Sequence, residues 1–200
     1  MKITGLVLAG GRGQRMGGVD KGLQMFCGRP MVASVLERLR QQVDDILVNA
    51  NQNPDRYAAF GHRVIADLIA GHAGPLAGLH AGLAHCTTEA LLTVPCDSPR
   101  FPADLAQRLA AALEDPALDL AVAVAEGREQ PVFALVRTRV APHLEAFLAT
   151  GARRIDAWYG TLAVARVSFD EDPGAFANVN TLAELASLEI DARVDRRPRP

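Results

Sequence analysis

The sequence lacks the features of a membrane protein, a nucleic-acid-binding protein and a disulfide-rich secreted domain. No apolar stretch approaches about 18 residues, so no segment is predicted to span a bilayer. The 200 residues carry a formal net charge of −2, which leaves no basic surplus for broad binding to nucleic acid or membrane surfaces. Three scattered cysteines, Cys27, Cys86 and Cys96, lack the close pairing of a zinc site and suit a reducing compartment. We therefore expect a cytoplasmic protein.

Several common catalytic motifs are also missing. The five histidines lack the spacing of metal ligands, and no Ser/His/Asp set is evident, so no hydrolytic triad is predicted. The glycine-rich loop after the first apolar run contains no Gly-Lys-Ser/Thr sequence and is not a Walker A motif. Met16 stands where a dinucleotide-binding fingerprint needs its third glycine.

The sequence does contain a regular alternation of strand-like and helix-like segments. Hydrophobic residues make up 49% of the chain, enough for a well-filled core. The predicted strands are residues 3–8, 46–48, 63–65, 90–94, 120–125, 132–136 and 164–169. The predicted helices are residues 31–39, 75–85, 104–113, 140–148 and 181–190. This order predicts an α/β fold with a mostly parallel, doubly wound sheet and helices on both faces.

The first strand leads into a loop that combines glycines with positive charge. Residues 8–21 read LAGGRGQRMGGVDK and include Arg12, Arg15 and Lys21. Glycines allow backbone N–H groups to approach phosphate oxygens, and the cations offset the negative charge that phosphoryl chemistry develops. The alternative is a flexible, solvated turn. We predict a phosphate-binding loop.

Polar residues follow the carboxyl ends of other predicted strands, the edge at which open α/β sheets bind ligands. Asp97 follows the strand 90–94, with Pro95 and Pro99 on either side to restrict the backbone. A carboxylate in this place can hold Mg²⁺ together with substrate phosphates, or it can be a turn or cap residue. Asn49 and Asp67 follow two further strands. An aspartate there can accept N–H bonds from a guanine edge, accept ribose hydroxyls, or simply form a turn.

The second half of the chain offers further polar groups: Arg128 with Gln130, Arg153 with Arg154, and Asn178 with Asn180. These groups could bind an anionic acceptor or complete a metal site. They could equally be turn and helix-end residues. The segment Glu126-Gly127-Arg128 is predicted to be either a turn or an active-site loop.

The stretch LAGGRGQRMGGVDKGL at residues 8–23 resembles the signature of the molybdenum cofactor guanylyltransferases, within the Rossmann-like nucleotidyltransferase superfamily. Further similar segments follow in the same order along nearly the whole chain except the tail. They are VNAN at 48–51, IAD at 65–67, GPLAG at 74–78, PCDSP at 95–99, PVFAL at 131–135, GARR at 151–154 and NVNT at 178–181. Gln130 departs from the pattern, because relatives often have histidine before this proline.

The resemblance implies transfer of GMP from Mg-GTP to the terminal phosphate of molybdopterin, or of the molybdenum cofactor, with release of pyrophosphate. It implies catalytic roles for Arg15, Lys21 and Asp97. It implies GTP contacts from Leu8, Ala9, Gly10, Gly11, Lys21, Asn49, Asp67 and Asp97. Asp97 would be the Mg²⁺ ligand, with Asn180 as a candidate second ligand. Other cofactor-biosynthesis proteins and molybdoenzyme chaperones are the candidate protein partners.

We expect residues 1–192 to form a single nucleotidyltransferase domain, with a nucleotide-binding N-terminal half and an acceptor-binding C-terminal half. Residues 193–200 are Arg/Pro-rich and predicted to be a disordered tail. Two other functions remain open. One is a cytidylyltransferase or sugar-phosphate nucleotidyltransferase on the same fold, and the other is a non-catalytic nucleotide-binding protein.

Overall fold

A seven-stranded sheet forms the centre of the computed structural model, which describes residues 1–9, 20–69, 74–179 and 184. The strands are β1 (Ile3–Leu8), β2 (Met25–Phe26), β3 (Arg29–Pro30), β4 (Asp45–Asn49), β5 (Arg63–Ile65), β6 (Ala90–Pro95), β7 (Leu120–Ala125), β8 (Arg128–Arg137) and β9 (Val164–Ser168). The helices are α1 (Met31–Arg40), α2 (Pro54–Ala58), α3 (Pro75–His85), α4 (Leu105–Ala112), α5 (Ala141–Ala149) and α6 (Ile155–Tyr159).

The sheet has the strand order β5-β4-β1-β6-β8-β7-β9. In the described part of the chain, every strand of this sheet except β8 runs in the same direction, because β8 pairs antiparallel with both β6 and β7. The strands β2 and β3 form a separate antiparallel pair. The predicted mostly parallel α/β sheet is confirmed.

Helices cover both faces of the sheet, because successive side chains of a buried strand point to opposite sides. On one face, Val7 of β1 packs in a cluster that includes residues of α1 and α4. On the other face, the adjacent Leu6 packs in a cluster that includes residues of α3, α5 and α6. The fold therefore has three layers, as predicted. Among the described residues, each helix is too short or too polar to cross a bilayer.

Several apolar runs were predicted with correct bounds, whereas four of the shortest elements were missed. The bounds of β1, β5, β7 and α3 agree with the prediction at both ends. The prediction missed the pair β2 and β3 and the helices α2 and α6, which are two to five residues long and too short to show a period. The predicted helix 181–190 and tail 193–200 lie outside the described residues apart from Glu184.

The strand β8 is longer than predicted and departs from regular pairing. Its pairing with β7 shifts between Val122 and Ala123, so that Ala134 and Gln130 are partners of successive β7 residues. Its pairing with β6 ends at Thr93, opposite Ala134. Pro131 lies in the bulge and has no N–H to donate to either neighbour. The last residues of β6, Val94 and Pro95, therefore have no ladder partner in the described strand β8.

The segment Glu126-Gly127-Arg128 is the turn of a hairpin rather than a long active-site loop. Ala125 pairs with Arg128, and the two residues between them have φ angles of 52° and 67°. Two residues at positive φ are typical of the tight turns that match the twist of an antiparallel pair. The turn is fastened by a hydrogen bond of 2.7 Å from the Glu126 N–H to Oδ1 of Asp170.

Candidate active site

The carboxyl ends of three neighbouring strands meet at one edge of the sheet. Leu8 of β1 lies opposite Asn49 of β4 on one side and Pro95 of β6 on the other. The ladder continues past the strands, because the Ala9 N–H donates to the Asn49 carbonyl at 2.8 Å and the Cys96 N–H donates to the Leu8 carbonyl at 3.1 Å. The residues after each strand are therefore held side by side.

A cavity of about 410 Å³ lies at this edge. It is lined by Leu8, Ala9, Asp20, Lys21, Asn49, Asn51, Asp67, Gly74, Pro75, Pro95, Cys96, Asp97, Val132 and Asn178. Six predicted site residues are among them: Leu8, Ala9, Lys21, Asn49, Asp67 and Asp97. The predicted residues Gly10, Gly11, Arg15 and Asn180 lie outside the described residues.

One part of the cavity holds a lysine and an aspartate in contact. The Nζ of Lys21 is 3.2 Å from Oδ2 of Asp97, and the two side chains are 21% and 14% exposed. Lys21 lies in a short 3-10 helix after the glycine-rich loop, and Asp97 follows β6. Partial burial strengthens their attraction relative to that of a fully exposed pair. This arrangement presents one cation and one carboxylate to the same part of the cavity.

Another part of the cavity holds an aspartate that is fixed by two asparagines. The Asn49 Nδ2 donates to one oxygen of Asp67 at 2.9 Å, and the Asn51 Nδ2 donates to the other at 2.8 Å. The Oδ1 of Asn51 also accepts the backbone N–H of Asp67 at 2.9 Å. Each carboxylate oxygen can accept a second hydrogen bond, so Asp67 retains capacity for a ligand. The prediction omitted Asn51, since an exposed asparagine in a loop is usually a turn former.

A glycine of α3 allows Asn49 to take its position. A Cβ built on Gly78 would lie 2.5 Å from Oδ1 of Asn49 and 2.6 Å from Cδ2 of Leu8. Asn49 is only 3% exposed, so it has little room to move away. The close approach of α3 to β1 and β4 therefore requires glycine here. The helix also brings Gly74 and Pro75, at its start, to the cavity wall.

The C-terminal part of the chain contributes the wall beside β6. The Val179 N–H donates to the Asp97 carbonyl at 2.9 Å, and the buried Ser98 hydroxyl donates to the side-chain oxygen of Asn178. Across the bulge of β8, the Thr93 hydroxyl donates to the Val132 carbonyl at 2.7 Å. These bonds attach β6 to β8 and attach the segment after β6, which includes Asp97, to the C-terminal part of the chain.

Among the described arginines considered from the sequence, none lines the cavity: these are Arg128, Arg153 and Arg154. Arg153 donates to the Leu148 carbonyl at the end of α5, at 2.8 Å. Arg154 pairs with Asp156 two residues further on, and both side chains are largely exposed. Arg128 lies on the exposed side of the hairpin turn. The contacts of Arg153 and Arg154 are those of helix-end residues, which was one of the two alternatives left open by the sequence.

The donor set around Asp97 suits a metal ion that is shared with a phosphorylated substrate. The described residues contain no group of three or more His, Cys, Asp or Glu side chains that could hold a metal by themselves. Mg²⁺ is commonly bound through one or two carboxylates, with the remaining positions taken by waters and substrate phosphates. A single carboxylate that lines an open cavity fits this pattern.

Comparison with known proteins assigns the chain to a family. The model of the MobA-like NTP transferase domain matches residues 5–165. The molybdenum cofactor guanylyltransferase of Acidovorax ebreus is 52% identical over 200 residues, covering 94% of this chain and 95% of that protein.

Two solved structures share the fold. The molybdopterin-guanine dinucleotide biosynthesis protein A from Archaeoglobus fulgidus superposes with a TM-score of 0.80 at 24% identity, over 96% of this chain and 99% of that one. The 4-diphosphocytidyl-2C-methyl-D-erythritol synthase from Anaerococcus prevotii superposes with a TM-score of 0.75 at 12% identity, over 96% of both chains. Similarity at these identities is informative about the fold alone.

The family model covers the cavity-lining residues from Leu8 to Val132, and the close relative matches the chain over almost its whole length. The predicted resemblance is therefore confirmed: this chain belongs to the MobA-like NTP transferases, a family of nucleotidyltransferases, and within it to the molybdenum cofactor guanylyltransferases.

Proposed function

We propose that this protein transfers GMP from Mg-GTP to the terminal phosphate of molybdopterin, or of the molybdenum cofactor, and releases pyrophosphate. The observation that supports the proposal is that one cavity contains both a lysine–aspartate pair and a separate carboxylate held by two asparagines. Lys21 and Asp97 form a charged pair that suits phosphates and a metal ion, and the carboxylate of Asp67 is held at the same sheet edge by two amide groups.

The phosphate half of the reaction needs charge stabilisation more than it needs a base. An acceptor phosphate is already an anion near neutral pH, so its oxygen can attack the α-phosphorus of GTP directly. The new oxygen–phosphorus bond forms as the bond between the α-phosphorus and its bridging oxygen breaks, and pyrophosphate leaves with the electron pair. Lys21 and Arg15 bind the phosphates and offset the negative charge that develops on the leaving pyrophosphate.

We assign Asp97 as the protein ligand of Mg²⁺. When bound, the ion would neutralise phosphate charge and help to orient the triphosphate. The Nζ of Lys21 contacts Oδ2 of this carboxylate, so the proposed phosphate-binding residue lies next to the proposed metal ligand. Asn180 stays a predicted second ligand that lies outside the described residues.

We assign Asp67 to recognition of the guanine base of GTP. Guanine presents adjacent N1–H and N2–H donors that a carboxylate can accept together, whereas adenine and cytosine offer no such pair. The amide groups of Asn49 and Asn51 fix the plane of this carboxylate. Leu8, Ala9, Gly10, Gly11 and Asn49 complete the proposed GTP contacts.

The cytidylyltransferase alternative differs from the proposal in substrate rather than in fold, since a synthase named for a cytidyl product superposes on this chain as well. We place the reaction in the cytoplasm, because Cys27, Cys86 and Cys96 form no disulfide in the described part of the chain. Delivery of the product to other cofactor-biosynthesis proteins or molybdoenzyme chaperones stays a prediction.

The test is to incubate the purified protein with molybdopterin, Mg²⁺ and each of GTP, ATP, CTP and UTP in turn, and to measure pyrophosphate release and the mass of the product. We expect pyrophosphate with GTP and a product carrying one added GMP. A product carrying CMP would support the cytidylyltransferase alternative. Triphosphate binding with no pyrophosphate from any pair would contradict transfer to molybdopterin and support either the sugar-phosphate or the non-catalytic alternative.

A further inference from the structure

Asp20, immediately before Lys21, accepts hydrogen bonds from two side chains of one distant segment. The Tyr57 hydroxyl donates to Oδ1 at 2.5 Å, and the Asn53 Nδ2 donates to Oδ2 at 3.0 Å. Tyr57 belongs to α2 and is fully buried, while Asn53 precedes the helix. Both carboxylate oxygens of Asp20 are therefore engaged by groups whose positions are set by α2.

The residue on the other side of Lys21 is held against the same tyrosine. A Cβ on Gly22 would lie 2.6 Å from the Tyr57 hydroxyl oxygen and 3.1 Å from Cβ of Cys96. The Leu23 N–H donates to the Asp20 carbonyl at 3.2 Å, which closes the short turn around Lys21. The backbone before and after Lys21 is thus fixed, although the lysine stem itself has several rotatable bonds.

Asp20 is unfavourable for phosphate binding by itself, because its negative charge repels the negatively charged phosphates. A structural role would explain why an acidic residue is found beside the phosphate site. The contacts of Asp20 supply one: the carboxylate ties the Lys21 turn to α2. Gly22 of the same turn packs against Cys96, the residue before Asp97. A lysine whose backbone is already fixed loses less backbone conformational entropy when it binds a phosphate. Tyr57 suits this task, because its fully buried ring holds the hydroxyl oxygen in one place.

We propose that Tyr57 is a positioning residue for Lys21 and acts through the carboxylate of Asp20, with Asn53 as the weaker second donor. The inference rests on the proposed function only in that Lys21 binds the phosphates of the nucleotide. It assigns no contact with substrate to Tyr57, whose hydroxyl lies beneath the turn.

The test is a double-mutant cycle on anion binding. Binding of inorganic tripolyphosphate is measured by calorimetry for the parent, Tyr57→Phe, Lys21→Ala and the double variant. We expect Tyr57→Phe to weaken binding by about threefold to tenfold in the parent and by less than about twofold when Lys21 is already absent. In GMP transfer, kcat should fall more than the KM for GTP rises, because the lysine is most important when charge develops on the leaving group.

The matched control is Tyr159→Phe, which also removes a buried phenol hydroxyl with one acceptor, the Pro131 carbonyl at 2.8 Å. It should cost comparable unfolding stability without coupling to Lys21. Asn53→Gly is the second variant if Tyr57→Phe fails to fold. Glycine is chosen because Asn53 has a φ of 50°, which alanine tolerates poorly.

Equal effects of Tyr57→Phe in the presence and absence of Lys21 would overturn the proposal, as would unchanged binding by Tyr57→Phe and Asn53→Gly. A parent protein that binds no tripolyphosphate would also overturn it. A parent that binds tripolyphosphate but transfers no GMP would contradict the proposed function instead, and the coupling would still be measured.

Discussion

Lys21 and Asp97 are 76 positions apart in the chain, and yet the ammonium Nζ of the lysine lies 3.2 Å from a carboxylate oxygen of the aspartate. The contact joins the end of the glycine-rich loop to the end of β6. The two residues are proposed to have different roles, since Lys21 binds phosphates and Asp97 binds the metal ion. Substitutions of each residue should therefore have different effects.

Asp97→Asn should keep the fold and lose most Mg²⁺-dependent turnover. The substitution preserves the size of the side chain but removes the charge that a divalent ion needs, and we expect a loss on the order of 100-fold. Pyrophosphate release measured over a range of Mg²⁺ concentrations tests this prediction. Asp104→Asn, which removes an exposed carboxylate outside the cavity, is the control. Near-parental turnover at low Mg²⁺ would remove Asp97 from the metal site.

Lys21→Ala should weaken GTP binding by roughly 1.5–3 kcal/mol, because it removes a charge-assisted contact with the phosphates. Arg15→Ala should act in the same direction. The chain has only two lysines, Lys2 and Lys21, so a lysine-directed acylating reagent followed by mass spectrometry gives an independent readout. GTP should protect Lys21 and leave the exposed Lys2 reactive. Equal labelling of Lys21 with and without GTP would contradict the phosphate contact.

Asp67→Ala should erode the preference for GTP over ATP and CTP by about 1–3 kcal/mol, because the guanine donors are left unpaired. Calorimetric titration of parent and variant with the three triphosphates measures this preference. A uniform loss of affinity for all three would mean that Asp67 contacts the ribose, which they share.

The preference for GTP can also be tested with a variant that keeps the carboxylate of Asp67, because Asn51 contacts that residue. Asn51→Ala removes two hydrogen bonds that orient Asp67 while leaving that side chain in place. Its effect on the GTP preference should have the same sign as that of Asp67→Ala and a smaller size. Gln52→Ala, which removes an exposed side-chain amide in the next position and outside the cavity lining, is the matched control.

Gly78→Ala should lower the unfolding free energy by about 1–3 kcal/mol, the usual cost of overpacking. It should also weaken GTP binding, because the added methyl group would displace Asn49. Gly160→Ala is the control, since a Cβ there would meet its nearest neighbours at ordinary distances of 3.5 and 3.6 Å. Chemical denaturation and calorimetry on both variants test the prediction, and two variants of equal affinity and stability would contradict it.

The unfolding free energy should fall in alkaline solution. Burial raises the pKa of the Cys96 thiol and of the Tyr57 and Tyr159 phenols above their ordinary values of 9.0 and 10.0. The unfolded chain releases these protons as the pH rises past those values, while the folded protein retains them. The stability that these groups contribute is therefore complete below about pH 9 and is lost above it, by up to about 1.4 kcal/mol per pH unit for each group.

Urea unfolding at about pH 8, 9, 10 and 11 measures this dependence on pH. Tyr159→Phe should reduce the slope above about pH 10, because one of the three groups is then absent. An unfolding free energy that stays constant from about pH 8 to 11 in the parent would contradict the assignment.

The main elements of the site could be predicted because strand ends can be read from hydrophobic runs. Leu8 ends such a run, while Asn49, Asp67 and Asp97 follow others, and parallel strands bring their carboxyl ends to one edge. This part of the prediction needed neither side-chain directions nor the order of strands in the sheet. It also needed no knowledge of which helix covers which face.

The remaining contacts depend on geometry that periodicity does not encode. Tyr57 lies on a helix of five residues, which is too short to reveal which way its side chain points. The sequence left Arg153 and Arg154 open as either anion-binding or helix-end residues, and their contacts in the structure are with the neighbouring backbone and Asp156. A cluster of charge in the sequence gives no indication of such local partners.

The position of β6 between β1 and β8 has a consequence for the order in which the protein can fold. Asp97 is held in place by a strand whose partners lie far away in the chain, β1 near the beginning and β8 well past the middle. Pairings of such large sequence separation form slowly, because long stretches of chain must be ordered first. A nascent chain that ends before β8 has one edge of β6 unpaired. We therefore expect nucleotide affinity to arise late in folding, after the hairpin of β7 and β8 has docked.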